Sequence, residues 1–173
     1  MLRIEEVNKN NFKDIPASCR GCLYWQTTGV FDERMLKPEM EKKKLEWFNN
    51  VAKRFGSSMK IAYLDNAPVG FMQYAPPEFF PRTKEYAAGP LSEDAVFIAC
   101  LYISQKDARG KGSGTVMLRD LLAELKKKEC KAVETFARKS SQDNPSGPLR
   151  FYLKHGFKVE REKDDFPLVR LEL

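Results

Sequence analysis

A chain of 173 residues with 42% hydrophobic and 12% aromatic side chains is one domain's worth of sequence and enough to bury a real core. Thirty Lys and Arg against 24 Asp and Glu give +6, a surplus that favours an anionic partner without naming one. No window approaches the ~18 apolar residues of a membrane span, MLRIEEVNKNNF has no apolar segment of signal-peptide length, and four scattered cysteines exclude a disulfide scaffold.

These limits predict a single soluble domain over residues 1–173, cytoplasmic, with no membrane partner and reduced thiols. Cys19 and Cys22 form one CRGC, half the ligands of a structural zinc site, and the only histidine, His155, is far away in sequence, so no metal is expected. A nucleic-acid partner has little support, because the basic residues are dispersed among acids.

In chain order, MLRIEEV alternates as a strand does and NKNNFKDIP reads as turn and loop. Leu36 to Phe55 places Met40, Leu45, Phe48, Val51, Ala52 and Phe55 at roughly helical spacing before Gly56, which predicts an amphipathic helix. KIAYL, a DNAP turn and PVGFMQYA read as a hairpin. The stretch PPEFFPRTKEYAAGPLSED is the longest irregular segment, and Phe79, Phe80 and Tyr86, with Tyr24 and Trp25, are candidates for a pocket wall, though each suits a core equally.

DAVFIACLYI has no polar face, so it must be covered on both sides, as in the middle of a sheet flanked by helices. ARGKGSG follows, with glycines at 110, 112 and 114, and then a helix that carries Met117, Leu118, Leu121, Leu122 and Leu125 on one face. KAVETFAR is a second apolar strand, and strand, helix and strand in succession form a right-handed crossover, so it should lie parallel to DAVFIACLYI. PLRFYLKHG is a short helix stopped by Gly156, and FKVEREKDDFPLVRLEL finishes as two strands around a charged turn.

Glycines let backbone N–H groups approach a ligand, and a helix N-terminus favours an anion. A phosphate or pyrophosphate is therefore the natural occupant of ARGKGSG, with Arg109 and Lys111 adding charge. The pattern GxxxxGK[ST] is absent, and in GxGxxG the third glycine falls on Thr115 or on Met117, depending on the starting glycine.

A third template fits. Arg109-Gly110-Lys111-Gly112-Ser113-Gly114 resembles the R/Q-x-x-G-x-G/A loop of the GNAT superfamily of acyl-CoA-dependent N-acetyltransferases, and Phe151-Tyr152-Leu-Lys-His-Gly156-Phe157 resembles that family's FYxxxGF segment. The resemblance spans residues 59 to 160. It implies a mixed α/β, mostly antiparallel sheet with one central parallel strand pair flanked by helices. Acetyl-CoA would be the acyl donor, an amine of a small molecule or peptide the acceptor, and a homodimer is left open.

The resemblance further implies that backbone groups of Leu101, Tyr102 and Ile103 pair with the pantetheine arm. It places the pyrophosphate on Arg109 through Gly114, and Tyr152 near the sulfur as general acid. The asparagine that the family often carries seven residues before the tyrosine falls here on Pro145, with Asn144 displaced by one as the matching cofactor contact. The link from Ile103 to Arg109 is one residue longer than usual.

Acetyl transfer also needs a neutral amine, and a base to take its proton. Glu134 interrupts the apolar pattern of KAVETFAR and is the first candidate, against a strand-end glutamate that reaches solvent or a backbone donor; Glu93, Asp94 and a water relay follow. Tyr152 has its own alternative, a helix aromatic with a satisfied hydroxyl. Cys100 lies near enough in sequence to suggest a covalent acetyl-enzyme, but an apolar strand is where a small buried thiol commonly packs, and His155 fits a helix C-terminus better than catalysis. A non-catalytic acyl-CoA-binding module is the competing function; it would keep ARGKGSG without needing Tyr152 or Glu134.

Overall fold

The computed structural model describes residues 1–32, 37–141 and 143–173. Its frame is a seven-stranded sheet: β1 (Leu2–Glu6), β2 (Met59–Leu64), β3 (Ala67–Ala75), β4 (Ala95–Ile103), β5 (Ala132–Phe136), β6 (Lys158–Arg161) and β7 (Leu168–Glu172). The spatial order is β1-β2-β3-β4-β5-β7-β6, with every neighbouring pair antiparallel except β4 and β5. This is the mixed sheet with one parallel pair that the sequence predicts.

The β2–β3 hairpin turns through Asp65 and Asn66, both at positive φ (49° and 68°), the conformation that matches a tight turn to the twist of its strands. Among the described residues the α-helices are α1 (Ala17–Arg20), α2 (Lys37–Arg54), α3 (Ser113–Lys127) and α4 (Leu149–Lys154). Of the helix expected over Leu36 to Phe55, Leu36 lies outside the described residues.

Both faces of β4 are covered, which explains its unbroken apolar sequence. Val96, Ile98 and Leu101 pack with Met117, Leu118, Leu121 and Leu125 of α3, four side chains that are fully buried and contribute about 2 kcal/mol each. Phe97 and Ala99 pack on the other side with Trp25, Phe79, Phe80 and Phe136. The long irregular segment is therefore core: it coils into 3-10 turns at Pro77–Phe79 and Pro81–Glu85, and Phe79 and Phe80 are buried. Tyr86 stacks on Phe136 at 4.5 Å.

Buried Lys60 of β2 pins α3 to the sheet through Asp120 and Glu124, each at 2.7 Å. No helix among the described residues is long and apolar enough to cross a membrane.

Candidate functional site

The parallel pair is short. Only Ala95, Val96 and Phe97 face Ala132, Val133 and Glu134, after which the strands part. The chain itself returns into the opening: Leu101 N–H donates to Pro145 O at 2.8 Å, and Arg138 N–H donates to Gly147 O at 2.9 Å. Leu101 was expected to present a free backbone amide, and it does not. A buried N–H without a partner is costly, and the nearest available acceptor is this returning segment. Ile103 O accepts from Arg109 Nε at 2.8 Å, and Tyr102 lies opposite Phe71 in the β3 ladder.

The long link after Ile103 is taken up by a 3-10 turn at Lys106–Ala108. Gly110 (φ 73°) and Gly112 (φ 86°) then adopt left-handed backbone, and a Cβ on either would meet nothing, so conformation rather than space asks for glycine there. Gly114 differs: a methyl would stand 3.4 Å from Leu101 Cδ2, an ordinary contact, in keeping with a motif that accepts Gly or Ala.

Gly112 precedes the first turn of α3, and no side chain caps it. The first-turn amides and the positive end of the helix dipole therefore face outward, with exposed Lys111 beside them. Buried Ser113 opens the helix. Arg109 turns the other way. Its guanidinium donates to the Tyr102 hydroxyl at 2.9 Å and to Asp143 Oδ1 at 2.8 Å.

Tyr152 of α4 is fully buried, and its hydroxyl donates to Ser146 O at 2.9 Å. Burial pushes the phenol far above its usual pKa, so it stays protonated. Gly147 (φ 85°) passes directly beneath the ring, where a Cβ would come within 2.9 Å of Cε2. Asn144 Oδ1 accepts from Ser146 N–H at 2.8 Å and shapes the turn. The residues Asp143 to Ser146 thus engage Arg109, Leu101 and Tyr152 together.

Glu134 is fully buried with both carboxylate oxygens taken. Ser92 N–H donates to Oε2 at 2.8 Å, Ser92 Oγ to Oε1 at 2.7 Å, and Arg170 Nη1 to Oε1 at 3.1 Å. Asp94 shares Arg170 from the surface at 3.1 Å, and Glu93 is exposed. The sequence reading missed Ser92 and Arg170, which come from other strands and loops.

Cys100 is a packed thiol whose pKa is pushed up by burial. His155 Nε2 meets Thr115 Oγ1 at 3.1 Å, and burial, then Arg119 and Lys154, lower its pKa. Among the described residues, no three His, Cys, Asp or Glu side chains form a group that could hold a metal ion.

Two hollows remain. The larger, about 450 Å³, lies among Lys9, Phe12, Lys13, Arg20, Glu41 and Leu45, away from β4 and the glycine loop. The smaller, about 240 Å³, is walled by Trp25, Lys44, Gln73, Cys100, Tyr102 and Pro145, with Ser18, Cys19, Cys22 and Phe71. It borders the Leu101–Pro145 contact and so adjoins the site, on the α2 side of the sheet. Trp25 is the one predicted wall aromatic that lines it.

The sequence model of the acetyltransferase (GNAT) family matches residues 22–157. The fold is similar to that of the PaiA N-acetyltransferase of Thermoplasma acidophilum in complex with coenzyme A (TM-score 0.64, 17% identity, 100% of this chain and 99% of that one). It is also similar to an N-acetyltransferase of Staphylococcus aureus Mu50 (0.67, 18%, 99% and 98%). A ribosomal-protein-alanine N-acetyltransferase of Brucella melitensis follows (0.64, 16%, 99% and 99%). Among curated proteins none matches.

Proposed function

The chain belongs to the acetyltransferase (GNAT) family and is an acetyl-CoA-dependent N-acetyltransferase, and from that premise we propose how its own residues do the work. The observation that carries the proposal is the uncapped N-terminus of α3, entered through left-handed Gly110 and Gly112 in the loop that follows a strand parting from its parallel neighbour. The first-turn amides of Ser113 and Gly114, with Lys111, hold the pyrophosphate. Arg109 joins them by leaving Asp143, an exposed partner whose loss costs little.

The acyl end enters the opening between β4 and β5, where the Leu101 N–H exchanges Pro145 O for the donor. The acceptor amine approaches from the 240 Å³ hollow on the other side. Its described walls carry a lysine and no carboxylate, which favours a monoamine over a polyamine.

The neutral amine attacks the acetyl carbon, the C–S bond breaks, and the sulfur leaves as thiolate. Tyr152, kept protonated by burial, donates to that sulfur once Ser146 O gives it up. Glu134 is assigned a structural part, because three donors already claim its oxygens.

The test is to incubate the pure protein with acetyl-CoA and a panel of small monoamines, polyamines, amino acids and peptides, following free-thiol release. Release with a monoamine is expected. Tight CoA binding without release for any amine favours a binding module, and no CoA binding sinks the proposal.

A further inference from the structure

The 240 Å³ hollow contains one side chain that neither packing nor ion pairing explains. Lys44 lies on the core face of α2, one helical turn from buried Met40 and from buried Phe48, at a position suited to an apolar residue. It is only 2% exposed, lines the hollow, and its Nζ donates to Cys22 O at 2.7 Å.

Among the described residues no carboxylate pairs with it. Glu41, one turn earlier on the same helix, is 3.0 Å from Arg20 instead, and Glu46 is exposed. A lysine stranded in this way is either neutral or awaiting a negative charge from outside.

We propose that Lys44 is the base of the transfer reaction: its uncharged Nζ accepts the proton of the acceptor amine as that amine attacks the acetyl carbon. The inference rests on the reading above, with the acceptor in this hollow. The amine nitrogen forms a bond to the acetyl carbon, and the C–S bond breaks with its electron pair left on sulfur. The amine's proton moves to Nζ, and Lys44, now an ammonium, later returns it to solvent. The thiolate takes its own proton from Tyr152, which is reprotonated by water.

The surroundings suit the role. A neutral amine can donate one N–H to Cys22 O and keep its lone pair for the incoming proton. The ammonium that forms keeps that carbonyl and the Trp47 ring, whose centroid is 5.7 Å away. Among the described residues, the titratable groups facing Lys44 are Cys19 from α1, Cys22 just beyond it, and Cys100 from β4, with Tyr102 also on the wall of the hollow. Burial lowers the pKa of Lys44 and raises those of Cys19 and Cys100, in each case toward the uncharged form.

The experiment uses the amine that gives thiol release and measures kcat and KM across about pH 6 to 10 for Lys44→Arg, Lys44→Gln and Lys44→Met. CoA binding and melting temperature report folding of each. Arginine and glutamine still donate to Cys22 O, but neither accepts a proton. A base at Lys44 predicts that kcat falls by about 10²-fold or more in every folded variant, with KM changed by less than about threefold, and that the acid limb of kcat disappears.

An active Lys44→Arg enzyme overturns the proposal in favour of a cation that holds an acceptor's carboxylate. Unchanged kcat and an unchanged acid limb in Lys44→Gln overturn it outright. In either case the wild-type activity stands, whereas a wild type that releases thiol with no amine defeats the underlying reading instead.

Discussion

Replacing Glu134 with Gln separates the two parts that this residue could play. Its carboxylate is fully buried and takes hydrogen bonds from Ser92 N–H, Ser92 Oγ and Arg170. Breaking a buried ion pair costs about 3–5 kcal/mol when the surviving charge is orphaned. Arg170 is not orphaned here: it is 14% exposed and keeps Asp94 and Glu172. The loss is therefore nearer that of one charge-assisted hydrogen bond, about 2 kcal/mol.

For a chain of this size each kcal/mol moves the melting temperature by about 2–4 °C, so Glu134→Gln should melt about 4–8 °C lower. Thiol release measured well below that temperature should give a kcat within about threefold of wild type. Asp94→Asn, which removes a partner of Arg170 more exposed than Glu134, should move the melting temperature by less. A Glu134→Gln enzyme with an unchanged melting temperature and kcat down by about 10²-fold would refute the structural assignment and make the carboxylate the base.

Tyr152→Phe should lower kcat by about 10²-fold while costing about 1 kcal/mol of stability through the hydrogen bond lost to Ser146 O; unchanged turnover removes the donor role. Gly112→Ala puts a methyl into open space but forces a left-handed alanine, at about 1–2 kcal/mol, whereas Gly114→Ala fits with its Cβ 3.4 Å from Leu101. A thermal melt should therefore fall for the first and not for the second, and equal losses would refute backbone conformation as what distinguishes the two glycines.

His155 is held below the ordinary histidine pKa by burial, so the unfolded chain binds its proton more readily than the folded one. Its contribution is present above the unfolded pKa and is lost as pH falls through the folded value. A urea series over that range should show His155→Asn losing less stability on acidification than wild type does.

What the sequence disclosed was what is local. The apolar run of β4, the glycines after it and the 3.6-residue rhythm of α3 each state their structure within a few residues, and together they predict the parallel crossover. Lys44 was legible in principle, since it falls in phase with Met40 and Phe48, and a cation in an apolar stripe is a signal. Other features depend on distant partners. Nothing in KAVETFAR says that Ser92 and Arg170 will meet Glu134, and nothing in FKVEREKDDFPLVRLEL says that β7 will insert between β5 and β6. The aromatics of the irregular segment suit a wall or a core equally by composition. Phe97 and Phe136, brought together by the β4–β5 pairing, supply the surface on which Phe80 and Tyr86 become core.

The turn from Asp143 to Ser146 is, in binding terms, an intramolecular ligand. It offers a carboxylate to Arg109, a carbonyl to Leu101 and a carbonyl to Tyr152. Tethered at an effective concentration of order millimolar, it competes with any incoming donor at those groups. At the donor site proposed above, acetyl-CoA would exchange hydrogen bonds rather than add them, and its net affinity would come from the part of the molecule the turn does not imitate, the pyrophosphate at the first turn of α3. A thioester stripped of its nucleotide would meet the same competitor without that advantage, so on this proposal the donor is selected by the handle far from the reacting bond.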